Sequence, residues 1–171
     1  MCNPSSLPNP VLSATESLRA IIAGAFRQAQ EEGVFPAAEM PAFVVEIPAD
    51  TRHGDFASNI AMASARALRM APQKIAAALI ERFTFSGTPF VRAEAAGPGF
   101  LNFFLAPEWF AGVVRDVLDS GDQYGRSNAG NGEKVMVEFV SANPTGPMHM
   151  GNARGAAIGD CLASALDAAG Y

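Results

Sequence analysis

Residues 137–160 read VEFVSANPTGPMHMGNARGAAIGD. The β-branched run VMVEFV at 135–140 predicts a strand, and the apolar stretch at 152–169, closed by Gly170, predicts a helix. Strand, glycine-containing turn and helix in that order form the opening unit of a doubly wound, Rossmann-type α/β sheet, which binds ligands at the carboxyl ends of its strands. Glu138, Ser141 and Asn143 fall at that edge. Pro144 and Pro147 stiffen the turn, whereas Gly146 and Gly151 let backbone come close to a ligand. His149 and Asn152 then stand three apart at a helix start, where unpaired N–H groups and the positive dipole end favour phosphate. Neither common phosphate loop is present: there is no GxGxxG, and no GxxxxGK followed by Ser or Thr. The residues alone leave two readings open, a nucleotide or phosphate site and a tight turn with an incidental histidine.

Upstream, GDQYGRSNAGNGEK at 121–134 has the glycine-rich, polar composition of a linker and marks the domain boundary. The expected division is a lead-in over 1–12, an α+β domain over 13–119, a linker over 120–134 and the start of an α/β domain from 135 to 171. Within the α+β part, Leu18, Ile21, Ile22, Ala25 and Phe26 recur at helical spacing over 13–32, with Ser13 and Glu16 in a capping-box pattern. AFVVEIP at 42–48 predicts a strand, and DTRHGD at 50–55 a polar loop in which Arg52 and His53 are either solvated or RNA contacts. A helix is expected over 56–68, with Asp55 as a candidate cap, and another over 73–83 opened by Pro72. Residues 91–105 predict a strand or hairpin broken by Gly-Pro-Gly at 97–99, and Pro107 starts a further helix to about 118. Phe103, Phe104 and Phe110 are expected to pack in the core rather than to stack on RNA.

The totals narrow the function classes. Of 171 residues, 49% are hydrophobic and 17% charged, so a packed core is expected. A net charge of −5 excludes coating nucleic acid by bulk positive charge, but leaves room for local recognition by shape and stacking. Two cysteines, Cys2 and Cys161, and two histidines, His53 and His149, form no zinc spacing. Cys161 reads as a small apolar residue on a helix. No apolar run reaches the roughly 20 residues that cross a bilayer, and the first ten residues lack a secretory signal. A cytoplasmic setting is expected.

SANPTGPMHMGNARG at 141–155 resembles the HIGH-motif segment of class I aminoacyl-tRNA synthetases, with HMGN at 149–152 in the HIGH position. The flanking ANPTGPM and ARGAAIGD are similar to the arginine enzyme in particular, so that Ala142, Thr145, Met148 and Met150 belong to the motif with the prolines and glycines named above. HGDFASNIAM at 53–62 and GPGFLNFFL at 97–105 resemble the additional N-terminal domain of arginyl-tRNA synthetases. The resemblance implies ATP-dependent activation of L-arginine and its transfer to tRNA(Arg), with Mg2+ accompanying ATP as substrate and no resident cofactor or zinc. It implies L-arginine binding by Glu138, Ser141 and Asn143, and ATP binding by His149, Gly151 and Asn152, with His149 and Asn152 catalytic. Phe100 and Asn102 match positions that touch the D-loop of tRNA. A monomer is expected for the full-length enzyme.

Two departures from the pattern stand out. Asn152 replaces the second histidine of the motif, which keeps a hydrogen-bond donor but removes a positive charge. The KMSK segment, the remaining sheet strands and the helical anticodon-binding domain have no counterpart within 1–171, so the chain reads as an N-terminal fragment that is inactive alone. The alternative is a free-standing tRNA- or RNA-binding module without catalysis. A nucleotidyltransferase of similar sheet type would explain HMGN but not residues 13–110.

Overall fold

The computed structural model describes residues 9–171, of which 10–115 form one compact unit and 116–171 a second. Of the lead-in expected over 1–12, residues 1–8, with Cys2, lie outside the described residues, and the rest runs into the first helix.

In the first unit, α1 (Pro10–Glu31) is followed by β1 (Val45–Glu46), β2 (Phe56–Ser58), α2 (Ile60–Leu68), α3 (Pro72–Ile80), β3 (Phe90–Ala96), β4 (Phe100–Leu105) and α4 (Pro107–Ser120), whose last residues pass into the second unit. Helix α1 buries Ala14, Leu18, Ile22, Ala25, Phe26 and Ala29, a single stripe at helical spacing. It begins at Pro10, so Ser13 lies inside the first turn and is not the cap that its spacing from Glu16 predicted. Proline starts the helix because its missing N–H would be unpaired there in any case.

The four strands form one antiparallel sheet in the order β1-β2-β4-β3. Residues 56–58, expected as the start of a helix, are instead the strand that joins the 42–48 region to the hairpin: Phe56, Ala57 and Ser58 pair with Phe103, Asn102 and Leu101. Strand β1 is only two residues of the predicted seven. The Gly-Pro-Gly stretch is the hairpin turn, and Gly99 at φ +127° lies so close to Pro72 that a Cβ would stand 2.6 Å from the proline Cβ.

Alternation along β4 separates two faces. Leu101, Phe103 and Leu105 point into the core against the helices, and Phe103 contacts the rings of Phe83 and Phe90 at centroid distances of 5.3 and 6.1 Å. Burying one such ring contributes about 2–3 kcal/mol. Phe100, Asn102 and Phe104 face the other way. Phe104 is half-buried there, while Phe110 on α4 is 47% exposed, so only Phe103 of the three aromatics expected in the core is fully inside.

Asp55 does not cap α2. Its N–H donates to Phe103 O and its carboxylate accepts the N–H of Leu105, both across to β4. The residue ahead of α2 is Asn59, whose Oδ1 is taken by the N–H of Val44.

The second unit is built on α5 (Met150–Ala168). Residues 135–140 form no strand: a strand exists through its ladder, and among the described residues none pairs with them. Their period of two survives nonetheless, with Val137 and Phe139 half-buried and 136, 138 and 140 exposed. Phe139 lies directly on Gly159, where even a methyl group would collide with its side chain. The glycine-rich stretch expected as linker closes the other end of α5. The N–H groups of Ser127, Gly130 and Gly132 donate to the carbonyls of Ala168, Ala169 and Gly170, each at 2.8 Å, and Arg126 pairs with the Asp167 carboxylate at 2.6 Å. These are the carbonyls that a helix end leaves unpaired. Cys161 is exposed on α5.

Candidate functional site

Two concave sites carry the residues singled out by sequence, one in each unit.

In the first unit, one rung of the sheet runs Glu46, Ala57, Asn102, Glu94 across all four strands. The turn at 48–53 arches over this rung and encloses a pocket of about 420 Å³, with Phe100 and Asn102 in its lining beside His53 and Asp50. Ala57 supplies a flat floor because it has no side chain beyond Cβ. Asn102 is only 6% exposed and lines this pocket. Its side-chain amide brings both a donor and an acceptor to the pocket.

The arch is held by local chemistry. Asp50 accepts the backbone N–H of Arg52 at 2.9 Å and pairs with its guanidinium at 2.6 Å, which keeps the Asp50 carboxyl below its ordinary range and raises the guanidinium further. Arg52 is therefore committed to the turn, whereas His53 reaches the pocket wall. Gly54 then reverses the chain at φ +84°, and a Cβ there would come within 2.7 Å of Phe103 O. Only glycine fits this close approach. The walls formed by Glu46 and Asp50 were not foreseen from sequence; cross-strand register, which no local pattern carries, brings them beside Asn102.

In the second unit, Ser141, Asn143, His149 and Asn152 line one concavity of about 350 Å³, together with Ala142, Thr145, Gly146, Pro147 and Met148. Glu138 and Gly151 are exposed and lie outside this lining. His149 is the N-cap of α5: its Nδ1 accepts the N–H of Gly151 at 3.1 Å, and the Oδ1 of Asn152 accepts the N–H of His149 at 3.1 Å. An acceptor Nδ1 places the proton of a neutral imidazole on Nε2. The cap thus presents two side-chain donors, the Nε2–H of His149 and the amide of Asn152, where the N–H groups of α5 also gather. Gly151 has a reason of its own to be glycine, since a Cβ there would stand 2.9 Å from Cε1 of His149.

Chemically, the first site offers an aromatic face and a side-chain amide, the kinds of group that read an unstacked base. The second offers donors without a countercharge, the requirements for an anion. Among the described residues no three His, Cys, Asp or Glu side chains gather as a metal site, and no helix is long and apolar enough to cross a membrane.

Comparison with known proteins follows the same division. Residues 16–105 match the family model for the arginyl tRNA synthetase N terminal domain, and residues 113–171 match that for the catalytic domain of class I (R) tRNA synthetases. The arginine–tRNA ligase of Desulforamulus reducens is 50% identical over 159 residues, covering 93% of this chain and 28% of its own length. That of Acetivibrio thermocellus is 44% identical over 165 residues, covering 96% of this chain and 29% of its own length. The chain therefore spans less than a third of these curated relatives. Among solved structures, an arginyl-tRNA synthetase from Plasmodium falciparum superposes with a TM-score of 0.52 at 18% identity, covering 86% of this chain and 27% of that one, a likeness of fold.

Proposed function

Because this chain belongs to the arginyl-tRNA synthetase family, we propose that it supplies the tRNA-reading N-terminal domain and the first part of the ATP and arginine site of an arginine–tRNA ligase. The observation that carries this reading is the pairing of two sites of different chemistry: a base-sized pocket around Phe100 and Asn102, and a donor-lined cap at His149 and Asn152.

In the whole enzyme the reaction has two steps. A carboxylate oxygen of L-arginine attacks the α-phosphorus of ATP, forming arginyl-adenylate and releasing pyrophosphate. A hydroxyl of the terminal ribose of tRNA(Arg) then attacks the arginyl carbonyl and releases AMP. Mg2+ enters with ATP as part of the substrate.

The roles fall to residues as follows. The Nε2–H of His149 and the amide of Asn152 donate to phosphate oxygens as charge builds on them, which is stabilisation by fixed dipoles and requires no covalent step. Asn152 is held by its bond to His149, so it contributes direction where a second histidine would contribute charge. Ser141 and Asn143 hold the amino-acid end of arginine, and Glu138 pairs with its cationic groups as a carboxylate suits a guanidinium. Gly151 lets the adenine lie against backbone. In the N-terminal unit, Phe100 stacks on a base of the D-loop and Asn102 hydrogen-bonds its edge. The setting is the cytoplasm, and the full-length enzyme is a monomer.

The test is in two parts. The purified 171-residue chain is titrated with tRNA(Arg) transcript, alongside Phe100→Ala and Asn102→Ala; wild-type binding that falls in both variants supports the reading, and binding unchanged in both overturns the role of the pocket. The same chain is assayed for arginine-dependent pyrophosphate exchange. No exchange is expected, because among the described residues 135–140 has no partner strand to complete the nucleotide site. Exchange by the chain alone would overturn that expectation.

A further inference from the structure

The outer face of the sheet continues beyond the Asn102 pocket. Along β3 and β4 the cross-strand pairs Ala96–Phe100, Glu94–Asn102 and Arg92–Phe104 follow one another, and their β4 members alternate with the buried Leu101, Phe103 and Leu105. All three pairs therefore share the face that carries the pocket. In the last of them the guanidinium carbon of Arg92 lies over the face of the Phe104 ring, 3.4 Å from its centroid. Glu94, one pair nearer the pocket, forms an ion pair with Arg92 and anchors the edge of the guanidinium. Its charge is thus compensated locally, while its outer side stays open, the side chain being 52% exposed.

We propose that the Arg92–Phe104 pair is a second nucleotide platform, on which the base next to the one in the Asn102 pocket stacks when a single-stranded RNA loop crosses this face. The inference rests on the reading that the pocket takes an RNA base, and extends it along the sheet. Three features support it. Two residues along a strand advance about 6.8 Å, a step that an extended ribonucleotide linkage spans. Guanidinium planes and aromatic rings are the surfaces on which unstacked RNA bases lie. The carboxylate of Glu46, in the wall of the pocket, repels phosphate, which turns an approaching loop so that bases and not backbone meet the sheet.

The experiment measures the affinity of the full 171-residue chain for a tRNA(Arg) transcript by fluorescence anisotropy, with circular dichroism to confirm folding. Arg92→Ala is expected to weaken binding by about 5-fold or more, the lower end of what losing one stacked base costs. Arg92→Lys keeps the charge without the plane and is expected to stay weak, and Phe104→Leu, which removes the support under the guanidinium, is expected to weaken binding as well. If Phe100→Ala and Asn102→Ala weaken binding while Arg92→Ala and Phe104→Leu do not, the second platform is overturned and the pocket stands. If Arg92→Lys binds like wild type, Arg92 meets phosphate and the stacking proposal is overturned. If none of the variants differs from wild type, or wild type does not bind, the pocket reading falls and the platform with it.

Discussion

The Oδ1 of Asn152 accepts the backbone N–H of His149 at 3.1 Å, so the residue that stands where a second histidine was expected is bound to the first. Together with the Nδ1 of His149 on the N–H of Gly151, this makes the N-terminus of α5 a reciprocal cap. The same bonds that start the helix orient the two donors that the proposed phosphate site uses.

That double duty can be taken apart. Asn152→Ala removes the acceptor and is expected to destabilise the first turn of α5 by about 1 kcal/mol. Asn152→Asp keeps an acceptor, and its charge is favourable at a helix N-terminus. Amide exchange at residues 151–153 should therefore accelerate in the alanine variant and stay near wild type in the aspartate variant. Equal exchange in all three would mean that the cap does not hold α5.

Phe139 on Gly159 gives a prediction whose sign is unusual. Replacing an exposed helical glycine by alanine ordinarily stabilises by about 1 kcal/mol. Here the added methyl meets the Phe139 side chain, so Gly159→Ala is expected to destabilise by about 1–3 kcal/mol. Adding Phe139→Ala should restore the ordinary sign, read as denaturant midpoints of the two single variants and the double variant.

Gly54 couples backbone shape to the base pocket. With φ at +84° and Phe103 O in the path of a Cβ, Gly54→Ala forces the 50–53 turn away from β4. A stability loss of about 1–3 kcal/mol is expected, together with weaker binding of tRNA(Arg) transcript. Unaltered binding in the folded variant would show that the arch over Asn102 is dispensable.

Glu32 and Arg82 link α1 to the segment after α3, with the guanidinium 2.6 Å from the carboxylate. Hydrogen bonds from Gln28 first, and then from Arg82, hold the Glu32 carboxyl below its ordinary value of 4.5. A carboxyl whose value is lowered by folding binds its proton more readily in the unfolded chain, so its contribution is complete above about pH 4.5 and disappears as pH falls through the lower, folded value. Thermal melts of wild type and Glu32→Gln should differ at pH 7, begin to converge as pH falls past 4.5, and coincide only below the lower, folded value. A difference independent of pH would assign the effect to packing.

The helices were legible in the sequence because a helix is made largely of its own residues. The stripe Leu18, Ile22, Phe26, the opening Pro72 and Pro107, and the HMGN stretch that caps and opens α5 each carry their signal within a few positions. The hairpin was legible for the same reason, its turn being marked by Gly97 and Gly99. The chemistry of the cap was half legible: the spacing of His149 and Asn152 pointed to a helix start, but not to the bond between them.

What only the tertiary structure decided concerns partners distant in the chain. Phe56, Ala57 and Ser58 are a strand because β1 and β4 lie on either side of them, whereas VMVEFV, with far stronger β propensity, is not one because none of the described residues pairs with it. Asp55 turned from a helix cap into a brace for β4, and the glycine-rich 126–132 segment from a spacer into the closure of α5. The pocket is of the same kind: Asn102 could be picked out in the sequence, but its place in a pocket beside the 48–53 turn exists only once register puts Glu46, Ala57 and Asn102 on one rung. Local sequence sets the propensity of a segment, and hydrogen bonds to distant segments set whether that propensity is used.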